Sequence, residues 1–293
     1  MPITWPSVDR VDVVRAVVRA VLEAADPAPI TRLWCLDPAR PSQRVRVLAV
    51  GKASTTMASA AYEAIGERIS AALVVGLPEQ IASWAPPANC AAWPADHPLP
   101  TERNIIAANR VLEFVTDDAN DDPILALISG GGSSMLSRPA PGICLDDVRT
   151  LSSALMRAGT TIDELNAVRK HIETLKGGRL GLAANGTRID VALLSDVISD
   201  RIDTIASGPF APDPTTFADA LDVLDRTGLR ELAPSVTRLL LEGSRTGIGE
   251  TPKPGSRAFD GITHTVLAGN SAAADAAANI LNDLHLTTAV RTG

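Results

Sequence analysis

The sequence of 293 residues is poor in aromatic side chains, which make up 3% of the chain. Platforms on which nucleic-acid bases stack need such side chains, so their scarcity argues against a base-binding surface. Lysine and arginine form no long run, and the net charge is −7. We therefore do not expect a nucleic acid or an anionic membrane as the main partner.

Cysteines and long apolar segments are scarce as well. Cys35, Cys90 and Cys144 are far apart and show no CxxC spacing, which argues against a disulfide framework and against a structural zinc site. No stretch approaches about 18 uninterrupted apolar residues, and the first residues lack the charged and apolar segments of a signal peptide. We expect a cytoplasmic protein that is not attached to a membrane.

Short apolar runs alternate with helix-like patterns through most of the chain. The strand-like runs lie at residues 45–50, 71–75, 124–128 and 189–194. This alternation predicts right-handed βαβ units, and hence a three-layer, Rossmann-like α/β domain with a mainly parallel sheet over residues 1–242. Residues 243–261 are rich in Gly, Ser, Thr and Pro and predict a linker. A fresh strand–helix pattern at 262–293 predicts the start of a second α/β domain, which is incomplete.

A glycine-rich segment, SGGGSS at residues 129–134, directly follows the apolar run at 124–128. Glycine adopts positive φ readily and has no side chain, so successive N–H groups can converge on an anion. The spacing matches neither GxxxxGK[ST] nor a dinucleotide fingerprint with an acidic residue about 20 positions later. The segment predicts either a phosphate-binding nest or a tight turn packed under a helix.

Lys52 follows the strand predicted at 45–50. Ligands of open parallel sheets bind at the carboxyl ends of the strands, where a lysine can neutralise the charge of a transferring phosphoryl group. The alternative is a solvated lysine in a turn. Asn270 also follows a strand-like segment, but it could equally order its own loop through hydrogen bonds to the backbone.

Asp196 and Asp200 lie four residues apart after the strand predicted at 189–194. If this segment is helical, both carboxylates face one way and suit Mg²⁺, which binds one or two carboxylates together with substrate phosphates. One of the two could also act as a general base. Alternatively, Asp196 caps a helix, or either acid pairs with Arg201 or Arg188.

A basic cluster, NAVRKHIETLKGGR, occupies residues 166–179. On a helix, Arg169 and Lys176 would be two turns apart on one face and could bind a carboxylate or a phosphate together. The competing interpretation is a solvated basic face that ends at the glycine pair. His171 taken alone is more typical of a structural histidine than of a catalyst.

Several short motifs occur in order along the chain: GKAS (51–54), DHPLP (96–100), SGGGSS (129–134), NxxRKHxxxxKGGRL (166–180), SDVxxD (195–200), IASGP (205–209), DPTT (213–216) and AGN (268–270). Together they resemble the glycerate 2-kinase family, ATP-dependent kinases whose second domain is called MOFRL. Ser199 departs from the family, which more usually has glycine there, but both acids of the motif are retained. Family chains also continue beyond the pattern at 262–293, so the resemblance predicts that a MOFRL-type domain is incomplete here.

The resemblance implies phosphoryl transfer from ATP to the 2-hydroxyl of D-glycerate, with Mg²⁺, in a cleft between a Rossmann-like domain and a smaller C-terminal domain. It makes Lys52 the principal catalytic cation and Asp196 the acidic partner; Arg169 is a further predicted catalytic residue, and Asp200 joins Asp196 as a predicted ligand of Mg²⁺. The residues predicted to hold phosphate or carboxylate groups are Ser129, Gly130, Gly131, Gly132, Ser133, Ser134, Lys176, Gly177, Gly178 and Asn270.

Two alternative functions remain open. Some family members are called hydroxypyruvate reductases, although no GxGxxG segment supports a nicotinamide site in this sequence. An incomplete chain could instead be an inactive domain that binds nucleotides or other anions. The sequence leaves the oligomeric state open, including a homodimer.

Overall fold

The computed structural model describes residues 9–197, 200–286 and 288–290. The strands in these residues are β1 (Val45–Val50), β2 (Ile69–Gly76), β3 (Cys90–Pro94), β4 (Ile124–Ile128), β5 (Ile189–Leu194) and β6 (Ile262–Ala268). They form one sheet with the order β3-β2-β1-β4-β5-β6, in which every neighbouring pair is parallel. This is the strand order of Rossmann-type sheets, and it confirms the predicted α/β fold with a mainly parallel sheet.

Helices cover both faces of the sheet and extend beyond one end of it. Their bounds are α1 (Arg10–Ala24), α2 (Pro27–Leu36), α3 (Ser54–Ile65), α4 (Pro78–Ser83), α5 (Glu102–Val115), α6 (Gly132–Met135), α7 (Leu145–Arg157), α8 (Ile162–Ile172), α9 (Arg179–Ala183), α10 (Phe217–Thr227), α11 (Pro234–Thr246) and α12 (Asn270–Asp283). None of the described helices is both long and apolar enough to cross a membrane.

Two apolar cores, one on each face, hold the sheet between its helices. On one face, Val50 and Ile128 belong to a buried cluster that includes α5 residues such as Val111. On the other face, Val47 and Leu127 belong to a cluster that includes residues of α2 and α3. Burial on both faces explains why the strands are continuous apolar runs instead of alternating with polar residues.

A third apolar core lies among α7, α8, α10 and α11 and contains no strand residue. Val168 of α8 and Leu224 of α10 are among its fully buried members. Helix α8 also contacts the short turn Ile205–Ser207, which follows β5 in the chain. The helical layer therefore holds the basic helix α8 beside the segment that leaves the sheet after β5.

The C-terminal region differs from the prediction made from the sequence. Strand β6 pairs with β5 from Ile189–Ile262 to Leu194–Ala268, so it joins the same sheet as the other five described strands and does not start a separate one. The expected linker at 243–261 begins inside α11, and its Thr251 is buried and donates a hydrogen bond to Asp213 Oδ2 at 3.0 Å. The composition of this segment is typical of a linker. The contacts that order it come from residues distant in sequence, and composition does not reveal them.

Two elements in proline-containing segments were missed by the sequence pattern. Helix α2 begins at Pro27, where proline fits because the first helical N–H has no partner within the helix. Strand β3 pairs with β2 at the edge of the sheet and ends at Pro94, which is where a sheet tolerates proline.

Candidate active site

The carboxyl ends of β1 and β4 lie side by side at the point where the strand order reverses. In open α/β sheets this topological switch point is where a crevice forms and ligands bind. The loop after β1 carries Gly51 and Lys52, and the loop after β4 carries the glycine-rich segment. The backbone N–H of Lys52 donates to the carbonyl of Gly130 at 2.9 Å, so the two loops are joined directly.

The side chain of Ser129 also links the two loops. Its hydroxyl accepts a hydrogen bond from the N–H of Ala53 at 3.0 Å and donates to the carbonyl of Val50 at 3.2 Å. Gly51 has a φ of +117°, and an added Cβ would lie 2.3 Å from Ser129 Oγ. The side chain of Ser129, predicted to hold a ligand, is therefore used for loop packing, and Gly51 makes that packing possible.

The three glycines after Ser129 are packed closely by three other segments. An added Cβ would lie 2.5 Å from Asp196 Oδ2 at Gly130 and 2.9 Å from Ala206 Cβ at Gly132. At Gly131, where φ is +87°, it would lie 3.1 Å from the ring of His97 and 3.3 Å from the side chain of Lys52. The absence of side chains thus lets these groups converge on the loop.

Several backbone donors in this loop are free. The N–H groups of Gly130, Gly131 and Ser133 have no acceptor among the described residues. By contrast, Ser134 is committed within the protein, since its hydroxyl donates to the carbonyl of Pro98 at 2.8 Å. The loop therefore has the unpaired N–H groups of an anion-binding nest, as one of the two sequence interpretations required.

Charged and titratable side chains surround the nest. Lys52 and Asp196 are exposed, and Asp196 makes no hydrogen bond or ion pair with any residue in the described ranges. Burial, together with the positive charges of Lys52 and Arg169, lowers the pKa of His97, and the charge of Asp196 only partly opposes this. Burial also lowers the pKa of Arg169. Predicted residues Lys52, Asp196 and Arg169 are thus brought to one place.

A cavity of about 270 Å³ opens beside the nest. Its polar wall includes Gly131, Ser133, Asn166, Arg169 and Asp196. Its apolar wall comes from the DHPLP loop, from α7 and from α8, with Pro98, Leu99, Met156, Ile162 and Leu165 among the lining residues. The space can take a small polar molecule at one end and exclude water at the other.

A chain of hydrogen bonds runs along the polar wall. Ser207 Oγ lies 2.6 Å from Ser133 Oγ and donates to Asn166 Oδ1 at 2.7 Å. Asn166 is 3% exposed, and its Nδ2 has no hydrogen-bond partner among the described residues; the same is true of Arg169 Nε. Two buried donors therefore lack an acceptor in this cavity.

Lys176 does not lie on a helix with Arg169, contrary to the prediction, because α8 ends at Ile172. The Lys176 side chain is 1% exposed; its Nζ donates to the carbonyl of Leu136 at 2.9 Å and contacts Glu173 Oε2 at 3.1 Å. Burial lowers the pKa of Lys176 to about 8, although the charge of Glu173 acts in the opposite direction. This lysine forms a buried ion pair and is not available in the crevice.

Gly177 and Gly178 are also committed to packing. Their N–H groups donate to the carbonyls of Ser207 and Gly208 at 2.9 and 2.7 Å. At Gly178, where φ is +79°, an added Cβ would lie 2.7 Å from the carbonyl oxygen of Ala211. The pair lets two backbone segments pass closely, which is a structural role and not the predicted anion site.

Asp200 and Asn270 lie at the end of β6, one strand further along. An added Cβ at Gly269 would lie 2.3 Å from Asp200 Oδ1, an atom that is buried without a hydrogen-bond partner in the described chain. Asn270 is exposed and begins α12. The segment around Asp196 is not helical, and Ser199 lies outside the described residues. The two carboxylates therefore do not share a helix face: Asp196 lies against Gly130 and Asp200 against Gly269.

Other functional positions emerge only from the structure. In the sequence, His97 precedes a proline in the DHPLP motif, and Asn166 and Ser207 lie inside the longer motifs at 166–180 and 205–209. Their neighbours in space come from segments far apart in the chain, which no local pattern reveals. His171 is structural, as expected, because its ring nitrogens contact the carbonyl of Ala167 at 2.7 Å and Glu250 Oε1 at 2.8 Å.

Comparison with known protein families matches residues 13–241 to a family described as a domain of unknown function, DUF4147. The chain belongs to this family. It is 42% identical over 210 residues to the D-glycerate 2-kinase of Thermotoga maritima, an alignment that covers 72% of this chain and 48% of that relative. It is 38% identical over 254 residues to an Agrobacterium vitis protein that bears the name of a hydroxypyruvate reductase, covering 86% of this chain and 55% of the relative.

Solved structures give the same result. The crystal structure of a glycerate kinase from Thermotoga maritima matches with a TM-score of 0.80 and 36% identity, covering 93% of this chain and 62% of that chain. These similarities confirm the resemblance to glycerate 2-kinases that the motifs indicated. The DUF4147 chain spans about half the length of the curated relatives that it matches.

Proposed function

We propose that this chain carries the phosphoryl-transfer crevice of an ATP-dependent glycerate 2-kinase, acting on the 2-hydroxyl of D-glycerate. The observation that carries the proposal is the convergence of Lys52, the unpaired N–H groups of the glycine loop and the unpaired carboxylate of Asp196 at the switch point of the sheet. The names of the relatives from Thermotoga and Pyrococcus support the same activity.

In the proposed reaction, the acceptor hydroxyl oxygen forms a bond to the γ-phosphorus of ATP, and the bond from that phosphorus to the leaving oxygen of ADP breaks. The N–H groups of Gly130, Gly131 and Ser133 bind phosphate oxygens, and Lys52 neutralises the charge that they carry. Positioning and charge neutralisation account for most of the rate enhancement, because phosphoryl transfer needs little covalent assistance from the protein.

The hydroxyl proton must pass to a base. Within the described ranges, the carboxylate of Asp196 has no hydrogen-bond or ion-pair partner, and it lies against Gly130, so it is the first candidate for this role. Arg169 supplies a second positive charge, which acts on His97 as that of Lys52 does and is suited to an anionic substrate. Because its pKa is lowered, His97 is neutral at pH 7 and adds no charge to the crevice.

Magnesium fits this arrangement through Asp196. The described residues contain no group of three or more His, Cys, Asp or Glu side chains that could hold a metal alone. Mg²⁺ in kinases is usually held by one or two carboxylates together with substrate phosphates and water, and a free carboxylate beside the nest meets that need. Bound there, the ion would neutralise phosphate charge. Asp200 and Asn270, at the neighbouring strand end, are proposed to face the same ligands.

Replacing Lys52 tests the proposal. Lys52→Met should lower the rate of ADP release with ATP and D-glycerate by about 100- to 1,000-fold, as the loss of a charge-stabilising group does. Lys253→Met is a matched control, because the amino group of Lys253 contacts Glu250 and Thr251 away from the crevice. Wild-type turnover by Lys52→Met would refute the assignment.

Two further assays test the alternative functions, a reductase and an inactive binding domain. Oxidation of NADH with hydroxypyruvate in the absence of ATP would identify a reductase, the activity named for the Agrobacterium relative. Binding of ATP without turnover, measured by calorimetry, would identify an inactive binding domain. A cytoplasmic location and a homodimer stay predictions from the sequence.

A further inference from the structure

The cavity beside the nest is too small to be the nucleotide site. Its volume is about 270 Å³, below the range of about 300–1,000 Å³ that is typical of pockets for drug-sized ligands, whereas ATP is larger than most of those. Its lining combines apolar side chains with polar ones, among them Asn166 and Arg169. A molecule of a few heavy atoms with a polar group at one end matches this space.

The direction of the hydrogen bonds along the polar wall orients Asn166. Ser207 has a single hydroxyl proton and donates it to Asn166 Oδ1 at 2.7 Å, so Ser133 is the donor in its 2.6 Å contact with Ser207. The amide oxygen of Asn166 is therefore occupied, and both N–H bonds of Nδ2 are left without an acceptor among the residues that the structure describes. A buried amide in this state is unfavourable unless a ligand supplies the acceptor.

Arg169 adds a charge to the same wall. Its buried Nε has no hydrogen-bond partner in the described part of the chain. Burial lowers the pKa of Arg169, and the charge of Glu173 opposes this effect. Unpaired N–H donors together with a guanidinium favour an anionic acceptor over a neutral one. The guanidinium fork matches the geometry of carboxylates and phosphates, and a carboxylate is the smaller of the two groups.

The backbone beneath Asn166 is held in an unfavourable conformation. Ala206 and Ser207 have φ values of +52° and +60°, although neither is glycine. Such conformations occur mainly where a site must position a group. Here they place the hydroxyl of Ser207, which is fully buried, under the amide of Asn166.

We propose that this cavity is the acceptor subsite and that Asn166 is a specificity-determining residue, which with Arg169 binds the carboxylate of a small 2-hydroxy acid. Ser207 is a positioning residue that fixes the orientation of the amide. In a 2-hydroxy acid the carbon that bears the hydroxyl is bonded to the carboxylate carbon. Binding of the carboxylate therefore keeps the hydroxyl close by, in the part of the cavity that Gly131 and Asp196 line. The choice of acid rests on the proposed function; the carboxylate site does not.

Equilibrium binding of D-glycerate to the whole chain, measured by calorimetry, tests this inference. Glycerol, which has the hydroxyls but no carboxylate, should bind more weakly than D-glycerate. Asn166→Asp keeps the acceptor for Ser207 but presents a carboxylate to the ligand, and should raise the Kd for D-glycerate by about 10- to 100-fold. The Kd for ATP should rise less than that for D-glycerate, because Asn166 reaches the nest only through the hydroxyls of Ser207 and Ser133.

Asn109→Asp is the matched control. Asn109 lies on α5, and its Oδ1 accepts a hydrogen bond from Arg138 Nε at 2.8 Å, so this variant adds the same charge outside the cavity and should bind D-glycerate as the wild type does. If thermal melts show that Asn166→Asp does not fold, the same measurement is made on Asn166→Ala. We expect this variant to raise the Kd for D-glycerate by about 10-fold.

The outcomes are distinct from those that test the kinase. D-glycerate binding that depends on Asn166, without ADP release, would support the carboxylate subsite and count against phosphoryl transfer. Equal binding by the wild type and the Asn166 variants, or no binding of D-glycerate by the wild type, would overturn the inference even if Lys52 proves essential for turnover.

Discussion

Replacing Lys176 separates a structural lysine from a ligand-binding one. Lys176→Met keeps a side chain of similar length but leaves the carboxylate of Glu173 buried without its cation. Removal of one partner of a buried ion pair typically costs about 3–5 kcal/mol. The hydroxyl of Ser137 and the N–H of Arg138 still donate to Glu173 Oε2, at 2.6 and 3.1 Å. We therefore expect the lower end, about 3 kcal/mol.

Chemical denaturation and thermal melts measure this loss. For a chain of this size, about 3 kcal/mol corresponds to a fall of about 5 °C in Tm. The double variant Lys176→Met/Glu173→Gln should recover part of the loss, because it also removes the unpaired charge. The Kd values of the folded variant for ATP and D-glycerate should match those of the wild type. Wild-type stability combined with lost ATP binding would refute the structural role and restore the prediction made from the sequence.

The same lysine makes stability depend on pH. Burial lowers the pKa of Lys176 from 10.5 to about 8. Between these values the unfolded chain keeps a proton that the folded protein has released, so the free energy of unfolding contributed by this group rises with pH. Lys176→Met should lose this rise, which urea denaturation of both proteins from pH 8 to pH 10.5 would detect. An identical pH profile for the variant would contradict the lowered pKa.

Other substitutions distinguish packing from binding. Gly130→Ala should displace the carboxylate of Asp196, because an added Cβ would lie 2.5 Å from its Oδ2, and should lower turnover with little change in Tm; unchanged turnover would argue against the role of Asp196. Gly178→Ala, at a φ of +79°, should lower Tm without changing ligand affinity in the folded protein. Burial raises the pKa of Glu250, but hydrogen bonds, first that from His171, hold it well below its usual value. Its stabilising effect is thus lost as pH falls below 4.5, and Glu250→Gln should flatten the acid side of the stability profile.

The sheet and the glycine nest were predictable because their causes are local. Runs of apolar residues such as 124–128 are long enough for strands, and the glycines that follow have φ and packing needs that glycine alone meets. Parallel order follows from the alternation of strands with helices, which brings the carboxyl ends of β1 and β4 to one edge. The position of Lys52 at that edge was predictable because the residue follows β1 in the chain.

The roles of the residues in the basic cluster at 166–179 were not predictable, because they depend on distant partners. Arg169 and Lys176 are both basic residues of the same motif. Lys176 is buried and pairs with the carboxylate of Glu173 and the carbonyl of Leu136, whereas Arg169 lines the cavity. The supposed linker is ordered in the same way, through contacts such as that between Thr251 and Asp213.

For this protein, sequence alone determined the α/β class with its mainly parallel sheet, the glycine-rich loop after β4 and the position of Lys52 after β1, since hydrophobic periodicity and glycine chemistry act over a few residues. Tertiary structure alone decided which cations stay available to a ligand, that β6 joins the sheet, and that Asn166 and Ser207 meet at a cavity. Those outcomes depend on which side chains are buried and on what pairs with them, and both are properties of the packed chain.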